Sequence, residues 1–399
     1  MNPTLQHELD QRLASGAEGI PALADWVLQQ SARAGASDLH LEPRSDELLL
    51  RWRVDGCLAD AASVRGPLRH NLIQRVKVLA GLLTYRTDIP QDGRIAGAEG
   101  SSASDMRVSV YPAVLGEKIV VRFFHKQASN AAAKKPGLEW SLTSLGLNAT
   151  SIERLETILS RPQGMLLLTG PAGSGKTTTL YAALRWIVEQ SRSQRQIVTI
   201  EDPVERILDG VTHTELKPVA GLDYPAALKS LLRQDPEVIM IGEIRDGETA
   251  QVAVQAALTG HLILSTVHAP SGPEVLLRLL HLGVEPYLVA SVVSAVLEQR
   301  LVRKLCVCKT ATENKSEPMT TCGCESCVQS GYSGRLLIAE LLYMDETLRA
   351  AVLARTDAKG LMNAAAKQAW QGLWARGLEK VLSGMTTTTE LRRVLTRIE

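Results

Sequence analysis

Gly164-Met-Leu-Leu-Leu-Thr-Gly170-Pro171-Ala172-Gly173-Ser174-Gly175-Lys176-Thr177-Thr178 is the stretch that decides how this chain is read. An apolar run of strand length enters a glycine-rich turn, and Lys176-Thr-Thr-Thr then opens a helical stretch reaching Ile187. Strand, loop and helix in that order form the setting a phosphate-binding loop requires. Glycines let backbone N–H groups turn inward around a phosphate, and the helix N-terminus adds a fixed positive dipole end. Residues 170–178 are therefore the expected nucleotide-binding segment. Lys176 is expected to reach the β- and γ-phosphates of ATP, and the Thr177 hydroxyl to ligate Mg2+.

Two acidic segments follow. Ile197-Val-Thr-Ile-Glu201-Asp202-Pro203-Val-Glu205 is an apolar strand ending in three carboxylates, and Val238-Ile-Met-Ile-Gly242-Glu243-Ile-Arg245-Asp246 repeats the pattern. In open parallel sheets, ligands sit off the C-terminal strand ends, so both clusters face the nucleotide. Hydrolysis needs one acid to hold magnesium and another group to orient water. Glu243 fits the first role and Glu201 the second, with the two exchangeable. Thr259-Gly260-His261-Leu-Ile-Leu-Ser265-Thr266-Val-His268 places His261 and His268 at the two ends of a buried strand. Small residues beside them leave room for a phosphate. Taken alone, such histidines read more readily as structural.

Short apolar strands at 165–168, 197–200, 238–241 and 262–264 alternate with helical stretches. That pattern predicts a parallel sheet with helices on both faces, an α/β fold. Upstream, residues 38–42, 48–54, 106–111 and 118–124 read as strands and 68–83 as a helix. This predicts a small α+β domain within residues 1–126, after a short helical lead. Arg94 is placed on an Asp-Gly turn, with Arg107 and Arg122 on strands. The polar, alanine-rich stretch 127–137 ends in Pro-Gly and reads as a linker. Residues 138–300 then form the ATPase core, 301–335 a cysteine-containing insert, and 336–399 a C-terminal helical subdomain.

The chain has 399 residues, 45% apolar and 22% charged, which suits a soluble protein of two or three domains. A net charge of +1 gives no electrostatic case for a dedicated nucleic-acid binder. The N-terminus lacks the apolar core of a secretory signal, and the longest apolar stretch, 287–297, is too short to cross a bilayer. A cytoplasmic location is expected. Five of the 6 cysteines, Cys306, Cys308, Cys322, Cys324 and Cys327, lie close together. In the cytosol such clustering favours metal over disulfide.

These segments together resemble the secretion ATPases that power type II secretion and type IV pilus assembly. The resemblance is carried by Ala36-Ser-Asp-Leu-His-Leu-Glu-Pro43, Arg51-Trp-Arg-Val-Asp-Gly56, Pro90-Gln-Asp-Gly-Arg94, Asp105-Met-Arg107, Gly116-Glu-Lys118 and Val121-Arg122. The phosphate loop, both acidic strands, Leu232-Arg-Gln-Asp-Pro236, Ala257-Leu-Thr-Gly-His261 and Gly331-Tyr-Ser-Gly-Arg335 continue it. It implies a RecA-like P-loop motor domain preceded by a PAS-like domain. The active form would be a homo-hexamer working with an inner-membrane platform protein. It implies further that 201–205 is the family's aspartate box, 242–246 an atypical Walker B, and that His261 and His268 sense the γ-phosphate. Arg94, Arg107 and Arg122 resemble arginines that approach the phosphates.

Two departures stand out. Long members carry an N-terminal module that docks on a membrane partner; here about 35 residues precede the first match, so that module is expected to be missing. The family also shows two CxxC pairs, whereas this chain has Cys306-Val-Cys308 and Cys324-Glu-Ser-Cys327. Structural zinc on these four and a reduced, unmetallated loop both stay open. Three functions compete: a motor for pilus or pseudopilus assembly, a nucleic-acid translocase, and a scaffold that binds ATP without turnover. The translocase would need a basic stripe with aromatic stacking residues, and aromatics are only 4%. Lys176, Glu201 and Glu243 argue against the scaffold.

Overall fold

The fold is taken from a computed structural model that describes residues 3–96, 106–123, 141–217, 220–312, 314, 316–324, 327, 329–368 and 370–395. The chain divides into two compact units, Met1–Lys134 and Lys135–Glu399. The stretch read as a linker lies outside the described residues.

The first unit contains α1 (Pro3–Leu13), α2 (Ile20–Arg33), β1 (Asp38–Pro43), β2 (Glu47–Val54), β3 (Cys57–Arg65), α3 (Leu68–Leu79), β4 (Gln91–Ile95), β5 (Met106–Ala113) and β6 (Gly116–Phe123). Its strands form one antiparallel sheet in the order β3-β2-β1-β6-β5-β4. Period-two alternation puts Leu39, Leu41, Val108, Val110, Ile119 and Val121 in the core. There they meet Leu23 and Val27 of α2 and Leu72 and Val76 of α3. Buried Lys77 of α3 donates to Glu117 Oε1 at 2.5 Å and to Arg86 O at 2.8 Å, fastening α3 to β6. Two strands have little sequence signal. Alanines dilute β3, and the Asp92-Gly93 pair disguises β4 as a turn. Arg94 therefore stands on a strand and not on a turn. Gly93 permits a close approach: a Cβ there would lie 2.4 Å from Ala80 O.

The second unit runs α4 (Ala149–Leu159), β7 (Gly164–Thr169), α5 (Lys176–Ser191), β8 (Ile197–Glu201), β9 (Thr212–Glu215), α6 (Tyr224–Leu231), β10 (Val238–Ile244), α7 (Gly247–Leu258), β11 (Leu262–Val267), α8 (Gly272–His281), α9 (Pro286–Val292) and β12 (Val293–Leu305). After these come β13 (Thr310–Ala311), β14 (Met319–Thr320), β15 (Tyr332–Tyr343), α10 (Glu346–Leu353), α11 (Ala358–Lys367), α12 (Gly372–Leu382) and α13 (Thr388–Val394). Seven strands form one sheet, β15-β12-β7-β11-β10-β8-β9, parallel except for β15 at the edge.

Residues of β7 are buried on both faces, which is why the strand reads as an unbroken apolar run. Met165 and Leu167 join the core that contains α7 and α8, while Leu166 and Leu168 join the core that contains α4 and α5. Helices thus cover both faces. The apolar stretch 287–297 divides between α9 and the start of β12. Strand β12 runs on past residue 300 and pairs with β15 over most of its length, so the cysteine segment forms the far end of a long hairpin. Among the described residues, no helix is long and apolar enough to cross a membrane.

Candidate active site

Strand β7 ends at Thr169, and the chain turns tightly against β12. A Cβ on Gly170 would lie 2.4 Å from Gln299 O and 2.6 Å from Ser174 Oγ, so glycine is required there. Gly175 adopts φ 87° immediately before α5, a left-handed conformation that only glycine takes without strain. Lys176 Nζ donates to Gly170 O at 2.7 Å and Pro171 O at 2.9 Å. Burial pushes its pKa down, while the charge of Glu243 opposes that. A cleft of about 470 Å3 opens here, lined among others by Lys176, Thr177, Glu201, Glu205, Glu243 and His268.

The carboxylates differ in kind. Glu201 is 3% exposed. Its Oε2 accepts from Tyr181 at 2.6 Å, and its Oε1 accepts from Thr199 at 2.6 Å and lies 2.9 Å from His213 Nδ1. Both oxygens are engaged. Glu243 pairs with Arg245 and lies 3.3 Å from His268 Nε2. Burial and the charge of Glu201 both push the Glu205 carboxyl up, against a hydrogen bond from Thr177 that lowers it. Glu205 thus lies beside the threonine of the phosphate loop, a role the sequence did not assign to it. Burial and nearby carboxylates likewise push the Tyr181 and Tyr224 hydroxyls up.

The structure does not bring His261 to this cleft. It stands at the entry to β11, where its carbonyl accepts from Gly164 N at 3.1 Å and its Nδ1 lies 2.8 Å from Ala256 O. The length of β11 separates it from His268 by roughly 20 Å at the rise of a strand. Parallel strands present ligands at their C-terminal ends, and His261 lies at the other end. Sequence reading also missed Tyr181 and His213. Each reaches Glu201 only through the packing of α5 and β9 against β8, and neither carries a local motif.

In the first unit, Arg94, Arg107 and Arg122 are direct cross-strand neighbours on β4, β5 and β6. They line a cavity of about 520 Å3. Arg122 Nε also donates to Asp38 Oδ1 at 2.9 Å. Like charges set directly opposite one another destabilise a sheet unless an anion lies near.

The four thiols of Cys306, Cys308, Cys324 and Cys327 converge, all within 4.8 Å of one another. Separations of 3.8 Å for Cys306–Cys324, 3.9 Å for Cys308–Cys327 and 3.7 Å for Cys324–Cys327 are far too long for disulfides. They match the edge of about 3.8 Å that four sulfurs at ~2.3 Å from one zinc would have. Backbone N–H groups of Cys324 and Gly331 donate to Cys327 Sγ at 3.2 and 3.3 Å, the environment of a thiolate. Cys322 is exposed and outside the cluster. A short first pair therefore does not prevent four-fold convergence.

Phosphate loop and carboxylates share one edge of a parallel sheet, and in this arrangement the fold and site define a P-loop ATPase. The chain belongs to the family described as Type II/IV secretion system protein, which it matches over residues 14–393. It is 39% identical to type II secretion system protein E of Dickeya dadantii, covering 98% of this chain and 79% of that one. With the type II secretion system ATPase E of Vibrio cholerae the identity is 39%, over 94% of this chain and 75% of the other. With the type IV pilus assembly ATPase PilB of Myxococcus xanthus it is 37%, over 95% and 69%. Among solved structures, the ATPase DotB of Legionella pneumophila shares the fold at a TM-score of 0.68, 21% identity, and coverage of 94% and 95%. The chain is thus an ATPase of a secretion and pilus family, with the α/β P-loop domain expected and an N-terminal α+β domain whose sheet is antiparallel.

Proposed function

We propose that ATP hydrolysis in this cleft drives assembly of a type II secretion pseudopilus or a type IV pilus, in a ring of six copies working against an inner-membrane platform protein from the cytoplasm. The relatives' names support the process, and the strand-end cleft supports the chemistry. In this reading the loop N–H groups and Lys176 hold the phosphates. Thr177 and Glu243 would hold magnesium, which when bound neutralises phosphate charge. Glu205 takes the water-orienting role that the sequence gave to Glu201. One observation carries that exchange: both Glu201 oxygens are already engaged, while Glu205 lies beside Thr177. Glu205 accepts the proton of the attacking water, and buried Glu201 keeps that carboxyl basic. His268, in contact with Glu243, reports the γ-phosphate.

Phosphoryl transfer calls for cationic help. The row Arg94, Arg107 and Arg122 is suited to supply it to a nucleotide, its own or a neighbour's. The four thiolates suit a structural zinc; they leave no open position for chemistry. The functional reading is tested by complementation. In a host lacking this chain, the parent should restore secretion or surface fibres and Lys176→Ala should not. Assembly supported equally by Lys176→Ala, or ATPase activity that requires DNA, would overturn it.

A further inference from the structure

We propose that Gln299 and Arg300, on β12 behind the phosphate loop, are positioning residues: Gln299 fixes the loop, and Arg300 ties it to the His268 segment and so sets the preference for ATP over ADP. The proposal rests on the reading of the cleft as the ATP site.

Gln299 is 0% exposed, and its Nε2 donates to Ser174 O at 2.8 Å. The Ser174–Gly175 peptide is planar and trans. Holding its carbonyl toward β12 therefore turns the Gly175 N–H the opposite way, into the loop, where a phosphate oxygen is expected. Two buried atoms at this contact, Gln299 Oε1 and Ser174 Oγ, have no hydrogen-bond partner among the described residues. Buried polar groups are normally paired, and an unmet pair of them beside a ligand-binding loop is one of the marks of functional constraint.

Arg300 extends the contact sideways. One guanidinium nitrogen donates to Gln299 O at 3.0 Å, and the other donates to Pro270 O at 3.1 Å and lies 3.8 Å from Glu298 Oε1. Glu298 Oε2 in turn accepts from Gly272 N at 2.9 Å. From β7, Thr169 Oγ1 donates to Ala269 O at 2.9 Å. Residues 269–272, which follow His268 directly, thus hang from the two strands that flank the phosphate loop. His268 faces Glu243 from that segment. Gln299 governs the loop, which grips the phosphates common to ATP and ADP. Arg300 stands beside the loop as well, where a Cβ on Gly170 would lie 3.2 Å from one of its guanidinium nitrogens, but through Pro270 it also governs where His268 stands, and that second effect falls on the γ-phosphate.

The two arms separate in a binding experiment on the full chain, using MgADP and the magnesium complex of a non-hydrolysable ATP analogue, with melting curves as the control for folding. Gln299→Leu should weaken both nucleotides alike, by about tenfold, as expected for a lost buried hydrogen bond with an orphaned carbonyl. Arg300→Met should weaken MgADP less than the ATP analogue, narrowing the ATP-to-ADP preference by about tenfold. Arg300→Lys should narrow it as well, because one ammonium cannot bridge two carbonyls as the planar fork does. If Arg300→Met does not fold, Arg300→Lys decides. A folded Arg300 variant that keeps the parent's ratio, in a parent that binds both nucleotides, overturns the proposal alone. A parent that binds neither overturns the cleft reading and this proposal with it.

Discussion

Tyr181 donates a 2.6 Å hydrogen bond to Glu201 Oε2, tying the helix that begins at the phosphate loop to the last residue of β8. A carboxylate held this way is fixed in place, and its effect is felt by its neighbour. Burial and the Glu201 charge both raise Glu205, so a Glu205 base should lose activity at a pH above the ordinary glutamate value of about 4.3 as the medium is acidified. Glu205→Gln should still bind ATP while kcat falls a hundredfold or more, roughly the size of a lost general base. Removing the neighbouring charge with Glu201→Gln should let Glu205 ionise more easily and move the acid limb of the kcat profile to lower pH. A limb that stays in place or moves up refutes the coupling, and Glu205→Gln with the parent's turnover refutes the role.

The role proposed for the arginine row is tested by turnover. Arg107→Ala should lower turnover without preventing ATP binding, since the loop's own contacts remain. If a ring of six completes each site, ATPase activity should rise more steeply than linearly with protein concentration. Full activity at every concentration together with an unimpaired Arg107→Ala protein would exclude this mechanism.

Metal content tests the cysteine cluster. Purified, reduced protein should contain about one zinc per chain, because four thiolates at these separations complete one tetrahedron. Cys324→Ser should lose the metal and Cys322→Ser should keep it. Elemental analysis that finds no metal in the parent, or equal loss in both variants, contradicts the assignment.

A third carboxylate bears on stability. Glu390 is 0% exposed and is bonded by Arg303 at 2.8 and 3.0 Å and by Arg393 at 2.6 and 2.8 Å. Burial pushes its carboxyl up, but the Arg393 and Arg303 hydrogen bonds outweigh that and hold it below the usual range. A folded value below the unfolded one contributes stability that is present above about pH 4.3 and lost as the pH falls through the folded value. Glu390→Gln should cost about 2–3 kcal/mol at neutral pH, since it strands two partly exposed arginines. That loss should shrink in acid. Chemical denaturation at two pH values measures both, and a loss that does not depend on pH would show that packing, not charge, is at work.

The amino-acid sequence by itself determined what depends on near neighbours along the chain. The strand, glycine turn and helix around Lys176 are such a pattern, as are the buried parallel strands and the alternation of β1 and β2. Local sterics and burial on one or two faces write these into a few consecutive residues. The clustering of five cysteines was legible too, by composition, whereas the convergence of four of them with Cys322 apart was not. Tertiary structure alone decided which side chains meet. Strand β4 exists because β5 pairs with it and Gly93 lets Ala80 come close, although its own sequence reads as a turn. Arg94, Arg107 and Arg122 share a row only through strand register, which no local pattern encodes. Glu201 and Glu205 look alike in sequence. Packing of α5 and β9 against β8 buries the first among three donors and leaves the second beside Thr177. His261 and His268 look like a pair, yet the direction of β11 sends them to opposite edges of the sheet. Gln299 carries no motif and reaches the phosphate loop only because β12 runs alongside β7. These contacts join residues distant in sequence, and what fixes them is sheet order and helix packing across the whole unit.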